Sequence, residues 1–153
     1  MDHFSTLLNH LLVDTFHSIL KVEEQIIKSW GKYNLSISEI HLIESVGDSG
    51  GVGSTISDIA EDLRITLSSV TVAVNKLVQK GYLQKAKGFG DGRTVVVTLT
   101  KDGHTVYKVH ERFHEQMVRN ITSNLEDDEI QSMMRGITKL NEFFKQKIKS
   151  SEA

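Results

Sequence analysis

One stretch departs from the helical spacing that governs the rest of the chain. In QKAKGFGDGRTVVVTLT, residues 84 to 100, two short runs enclose a loop holding three glycines, Asp91 and Arg93. Val95, Val97 and Leu99 alternate with Val96 and Thr98, which is the period of a strand, and YLQKAK is expected to pair with this run across the hairpin loop GFGDGR. On both sides of the hairpin, apolar residues recur three and four apart. The expected fold class is therefore mainly α with a small β-hairpin, and no proline interrupts either pattern.

The helical segments can be placed from their stripes and their ends. Phe4, Leu7, Leu8, Leu11, Leu12, Phe16, Ile19, Leu20, Ile26, Ile27 and Trp30 lie along one long amphipathic helix, which GKYNLS ends. Ser36, with Glu39 three residues on, has the capping-box spacing that opens a second helix through about Val46. After the glycine-rich linker GDSGGVGS, TISDIAEDL reads as a short helix with Ile56, Ile59, Ala60 and Leu63 inward, and RIT as a tight connection. Thr66 and Ser69 offer hydroxyls at the start of the next helix, which runs to Lys80 and stops at Gly81, a residue suited to a left-handed C-cap. Beyond the hairpin, DGHTVYKVHERFHEQMVRNI and EDDEIQSMMRGITKLNEFFKQKI are two further helices, the second with acids at its start and lysines at its end.

Composition narrows the class of function. The chain has 153 residues and no cysteine, so a thiolate nucleophile and a disulfide framework are excluded, and a metal site has only His, Asp and Glu to draw on. The opening MDHFSTLLNHLLVDTFHSIL has polar residues at helical spacing, unlike a signal peptide, and no run is long enough to span a membrane. A soluble cytoplasmic protein is expected. The net charge of −2 conceals a strong asymmetry. Between Arg64 and Lys101 there are seven cations and one anion, Asp91, a net +6, while the remaining 11 cations and 19 anions give −8. Cations gathered in this way fit a polyanion contact, since they displace counterions condensed on a phosphate backbone. An ordinary solvated basic surface is the competing reading.

Short helix, tight turn, second helix and hairpin follow one another in the order of a winged helix-turn-helix. On the second helix Val70, Ala73, Val74, Leu77 and Val78 form the inward face, leaving Ser68, Ser69, Thr71, Val72, Asn75, Lys76 and Gln79 outside. Small hydroxyls allow close approach to phosphates and base edges, Asn75 suits adenine, and Lys76 suits a phosphate or guanine. A glycine-rich hairpin loop can lie against a phosphate backbone with Arg93 entering the minor groove, Asp91 holding its guanidinium, and Lys85 and Lys87 adding phosphate contacts.

These residues carry a family resemblance. ISDIAEDLRITLSSVTVAVNKLVQKGYLQKAKGFGDGRTVVVTLTKDG resembles the DNA-binding core of the MarR family of bacterial transcriptional regulators, through IAEDL, the Ser- and Thr-rich helix, LVQKGYL, Asp91 and Arg93, and LTKDG. The resemblance implies a homodimer on a pseudo-palindromic double-stranded operator, acting as a repressor and needing no cofactor. It implies a helical dimerisation region, 1–35 plus 104–153, around a winged helix-turn-helix domain, 36–103. One departure is Gly92, where many members have a second arginine. The residues support dimerisation independently: Ile130, Met133, Met134, Ile137, Leu140, Phe143, Phe144 and Ile148 make a second apolar stripe, and two unpaired stripes would expose a large apolar surface. A monomeric helical core is the alternative.

Within the family, ISEIHLIESVG, HERFHEQMV and ITKLNEFF most resemble the fatty-acid-synthesis repressors of Gram-positive bacteria, which implies acyl-acyl-carrier-protein as corepressor. Ile19, Ile26, Leu42, Ile43, Val46, Phe113 and Met117 are candidate linings for its acyl chain, and each serves equally well as plain core. A zinc effector is the rival. His110 and His114 stand four apart on one helix and His41 can join them, resembling a secondary site of zinc-responsive members. The main site of those members is unmatched, with Val109 where a glutamate is expected. Structural hydrogen bonding is the competing role for these histidines. A metal-dependent hydrolase built on His110, His114 and Glu111 or Glu115 is the alternative from another class, set aside for want of a His-Glu-x-x-His order, a phosphate-binding glycine motif and a Ser or Cys nucleophile context.

Overall fold

A computed structural model describes residues 2–88 and 94–151 of the chain. Its elements in order are α1 (His3–Ser29), α2 (Ile37–Gly47), α3 (Ile56–Leu63), α4 (Leu67–Gln79), β1 (Leu83–Lys87), β2 (Val95–Leu99), α5 (Lys101–Thr122) and α6 (Asp127–Ser151). Mainly helical with one antiparallel hairpin, the fold is that of a winged helix-turn-helix, as its sequence implies. Two compact units are distinguishable, Met1–His110 and Glu111–Ala153, with the division inside α5.

The first unit is organised by its helix caps. Ser36 and Glu39 form the expected capping box: the Glu39 N–H donates to Ser36 Oγ (3.2 Å) and the Ser36 N–H to Glu39 Oε2 (2.9 Å). Thr55 and Asp58 form a second one at α3, with the Asp58 N–H on Thr55 Oγ1 (3.1 Å) and the Thr55 N–H on Asp58 Oδ2 (2.9 Å). Satisfying the otherwise orphaned amides of a first turn stabilises a helix by roughly 1 kcal/mol per cap, which matters most for α3 with its eight residues. Arg64 then adopts a left-handed conformation at the end of α3, which turns the chain sharply into Thr66, the N-cap of α4. Gly81, at φ +84°, ends α4 as its residue type suggests.

The core lies where α2, α3, α4 and the hairpin meet. Ile40, Leu42, Ile43 and Val46 of α2 pack with Ile59 of α3, Val70, Val74 and Leu77 of α4, Leu83 of β1, Val97 and Leu99 of β2, and Val106 of α5. Val95, expected on the same strand face as Val97 and Leu99, is exposed at the far end of the strand. Leu83 pairs with Leu99 and Lys85 with Val97, so the two apolar anchors of β2 fix the register of β1. Ser54, at the end of the glycine-rich segment, forms an antiparallel bridge with Val97, its N–H on Val97 O at 3.0 Å and Val97 N–H on its own carbonyl at 2.8 Å. That segment is thus a short third rung beside the hairpin as well as a linker. Where α5 begins, Thr100 caps it by accepting the Gly103 N–H (3.1 Å), while the Thr100 N–H donates to Tyr82 O (3.0 Å). Gly103 itself lies against the Tyr82 carbonyl, and a Cβ there would collide with that oxygen.

Among its 27 residues α1 buries only Glu23 and Ile27. Phe4, Leu7, Leu8, Leu11, Leu12, Phe16 and Ile19 of its stripe are exposed, Phe4 by 71% and Phe16 by 60%. In the second unit α6 buries none of its described residues, and Met134, Ile137, Phe143 and Phe144 are exposed. Among the described residues no helix is long and apolar enough to cross a membrane.

Candidate nucleic-acid interface

Helix α4 is held in the core by one face and is open on the other. Val70, Val74 and Leu77 are fully buried, which anchors the helix and turns Ser68, Ser69, Thr71, Val72, Asn75 and Lys76 to the other side. At its N-terminus Thr66 Oγ1 accepts the Ser69 N–H (3.2 Å) and lies 2.8 Å from Ser69 Oγ and 3.1 Å from Ser68 Oγ. The three hydroxyls thereby form one cluster at the positive end of the helix, whose first turn has no acid. Such an end favours a phosphate oxygen. Thr71 donates its hydroxyl back to Leu67 O (2.9 Å).

The two residues with the longest reach are tied to neighbouring elements. Asn75 Oδ1 accepts from Lys85 Nζ of β1 at 2.6 Å. Lys76 Nζ stands 3.0 Å from Glu39 Oε1 of α2, and Lys80 Nζ lies 2.9 Å from Glu39 Oε2 and also donates to Asn34 O (2.6 Å). Burial pushes the Glu39 carboxyl up, but the Ser36 N–H and the Lys80 and Lys76 ammonium groups outweigh burial and hold it below the ordinary glutamate range. It is therefore an ionised group, at once helix cap and counter-ion, and it turns Lys76 along α2. Glu39, Ser68, Ser69, Val72, Ala73 and Lys76 line an open depression of about 470 Å³ beside this outward face of α4. Lys87 is exposed on β1, two residues beyond Lys85. Asp91 and Arg93 lie outside the described residues.

Sequence reasoning singled out Ser68, Ser69, Thr71, Asn75 and Lys76, and the structure brings them together on one face, with Lys85 joined through Asn75. It missed Glu39, whose capping role masks the second one, and gave no weight to Val72, an apolar side chain that is 69% exposed in the middle of this polar face. A β-branched apolar residue between Ser68 and Asn75 is the signal that was available for Val72; a methyl-bearing side chain there fits the thymine C5-methyl.

The candidate effector residues divide. Leu42, Ile43 and Val46 are buried together in the core, Ile26 is half-buried, and Ile19 is exposed. Phe113 and Met117 belong to the second unit, where both are half-buried. Of the histidines, His41 and His110 converge on Glu23: its Oε1 is 3.3 Å from His41 Nε2 and 3.0 Å from His110 Nε2. Nδ1 of His110 lies 3.6 Å from Glu44 Oε1. Burial lowers the pKa of His110, but Glu44 and Glu23 together raise it above the ordinary histidine value. Glu23, His41 and His110 each offer one donor atom within 4.8 Å of the others, a nitrogen and oxygen set that suits zinc. His114 is four residues further along α5, in the second unit. Glu23 escaped the sequence analysis although its signal was there, an acid at spacing three and four between Leu20 and Ile27 on the apolar stripe.

One ground for setting the hydrolase aside is wrong: His110, Glu111 and His114 do stand in the order His-Glu-x-x-His of metal-dependent hydrolases. His110 is only 1% exposed, with Nε2 on Glu23, so this imidazole has no opening to a substrate.

Comparison with known proteins decides the family. Residues 33–94 match a model of the MarR family. The structure of Streptococcus pneumoniae FabT in complex with DNA superposes with a TM-score of 0.88 at 32% identity, covering 93% of this chain and 98% of that one. The chain belongs to the MarR family. This MarR-family protein is a DNA-binding transcriptional regulator, and the FabT-like subgroup indicated by its sequence motifs is supported by that structural neighbour. An HTH-type transcriptional regulator of Bacillus subtilis, YfiV, is 25% identical over 116 residues, 75% of this chain and 71% of the relative. The fold is shared with Staphylococcus aureus MepR, also solved with DNA, at a TM-score of 0.74 and 18% identity over 89% of this chain and 95% of that one. Its relatives being regulators, this MarR-family chain is a regulator rather than an enzyme.

Proposed function

We propose that this MarR-family regulator works in the cytoplasm as a homodimeric repressor, with one α4 entering the major groove of each half of a pseudo-palindromic operator. The observation that carries the reading is the pairing of a polar, amide- and ammonium-bearing α4 face with an α1 whose apolar stripe is left exposed by its own protomer. A second copy of the chain covers such a stripe most economically. Residues 1–35 with 104–153 act as the dimerisation region and 36–103 as the DNA-binding domain. Arg93 of the wing enters the minor groove. Arg93→Ala is expected to weaken operator binding by about 1 to 3 kcal/mol with the dimer intact, as read by fluorescence anisotropy at moderate salt. Unchanged affinity would remove the wing from the mechanism.

The effector of this reading is an acyl chain presented by acyl carrier protein, and the regulated genes are those of fatty acid synthesis. The subgroup motifs ISEIHLIESVG, HERFHEQMV and ITKLNEFF and the 32% identity to FabT support it. Native mass spectrometry of the dimer with long-chain acyl carrier protein tests it. The expected result is a complex of dimer and acylated carrier that binds operator more tightly than the dimer alone. A dimer that ignores the carrier overturns this effector and leaves DNA binding untouched.

One arrangement favours zinc as a second reading, the convergence of His41 and His110 on the buried carboxylate of Glu23. In that case the protein as purified, or titrated with zinc, holds one ion per protomer. His110→Ala abolishes that binding, and removing the ion changes operator affinity.

A further inference from the structure

We infer that Lys85 is a positioning residue for base recognition: it fixes the side-chain amide of Asn75 so that α4 presents an amino group, and not an amide oxygen, to the DNA. The inference rests on α4 being the helix that reads bases and goes beyond it by assigning the base edge that Asn75 prefers.

The chemistry follows from one contact. An ammonium group has donors and no acceptor, so the atom of Asn75 that meets Lys85 Nζ at 2.6 Å is the carbonyl oxygen. A planar amide with its oxygen held toward β1 has its NH2 group turned away from β1. Asparagine recognises adenine with both ends of the amide, the oxygen accepting from N6 and the NH2 donating to N7. Lys85 occupies one of the two lone pairs of that oxygen, and its positive charge disfavours a second donor such as adenine N6 beside it. The remaining donor fits an edge made of acceptors, which in the major groove is guanine with its O6 and N7. The sequence alone assigned Asn75 to adenine and Lys85 to a phosphate, and the contact between them changes both assignments.

The donor that does this is itself well placed. Lys85 sits opposite Val97 in the hairpin register, and Val97 is fully buried and bridged on its other side by Ser54. Its backbone is thus paired to a residue that is itself buried and bridged on its far side, so the ammonium is delivered to Asn75 from a well-anchored element. Both side chains are exposed in the free protein, where water competes for the amide. Against DNA the water is displaced and the charge-assisted hydrogen bond strengthens.

Selection of bound duplexes from a random-sequence DNA library tests this with the full-length protein and its Lys85→Met, Lys85→Arg and Asn75→Ala variants. The wild type is expected to prefer guanine at one position of each half-site, and Asn75→Ala to lose that preference. Lys85→Met should shift that position toward adenine by about tenfold in relative enrichment while the other positions stay as they are, and Lys85→Arg should retain guanine. If Lys85→Met instead weakens all sequences alike, with an unchanged preference pattern and a salt dependence reduced by about one phosphate contact, Lys85 touches only the backbone and the inference is overturned. An Asn75→Ala pattern identical to wild type would overturn the assignment of Asn75 to base reading as well, a failure distinguishable from the first.

Discussion

Replacing Leu8 and Leu11 together by glutamate is expected to convert the protein to a monomer and to lower operator affinity at least about a hundredfold, because two half-sites bound through one dimer act with the effective concentration that tethering provides. Both residues belong to the α1 stripe and both are exposed within the protomer, so the substitutions remove no core contact. Each places a carboxylate where a second copy would bury it, and an unpaired buried charge opposes association. Sedimentation velocity reads the change in mass, and circular dichroism should show unaltered helix content. A variant that stays dimeric would move the interface away from the first half of α1. A monomer that keeps full operator affinity would break the link between dimerisation and DNA binding.

The second large effect concerns a glycine inside a helix. Gly103→Ala is expected to destabilise the first unit by at least about 2 kcal/mol, since the added Cβ meets the backbone oxygen of Tyr82, which cannot rotate away as a side chain would. Helix propensity alone would make the same change favourable by roughly 0.5 to 1 kcal/mol, so the sign of the result decides which effect wins. Gly136→Ala in α6 is the matched control: nothing lies within 4 Å of its added Cβ, and a small stabilisation is expected there. Urea denaturation of the three proteins measures both. If Gly103→Ala is as stable as wild type, α5 does not start against Tyr82 as described, and the glycine of the LTKDG motif needs another explanation.

What could be read from the sequence, and what could not, follows from the range of the interactions. The capping box of Ser36 and Glu39, the switch of period into the hairpin, the Gly81 stop and the inward face of α4 all depend on residues close in the chain, and each is found where the residues placed it. Contacts spanning longer stretches were not legible. Glu39 meets Lys80 across 41 residues, Asn75 meets Lys85 across 10, and Glu23 meets His110 across 87. No local pattern specifies which carboxylate a lysine will find. Glu23 shows the intermediate case, since an acid on an apolar stripe announces a buried partner without naming it. The outward face of α4 was therefore legible as a set of residues, while the contacts of Lys85 with Asn75 and of Glu39 with Lys76 required the assembled unit.

Stoichiometry on a selected operator tests the central claim most directly. Duplexes enriched from a random library by the wild-type protein should contain inverted repeats with half-sites about one helical turn apart, and native mass spectrometry should find two protomers on each duplex. A single protomer bound to an asymmetric site would contradict the account of a symmetric dimer reading DNA through paired α4 helices.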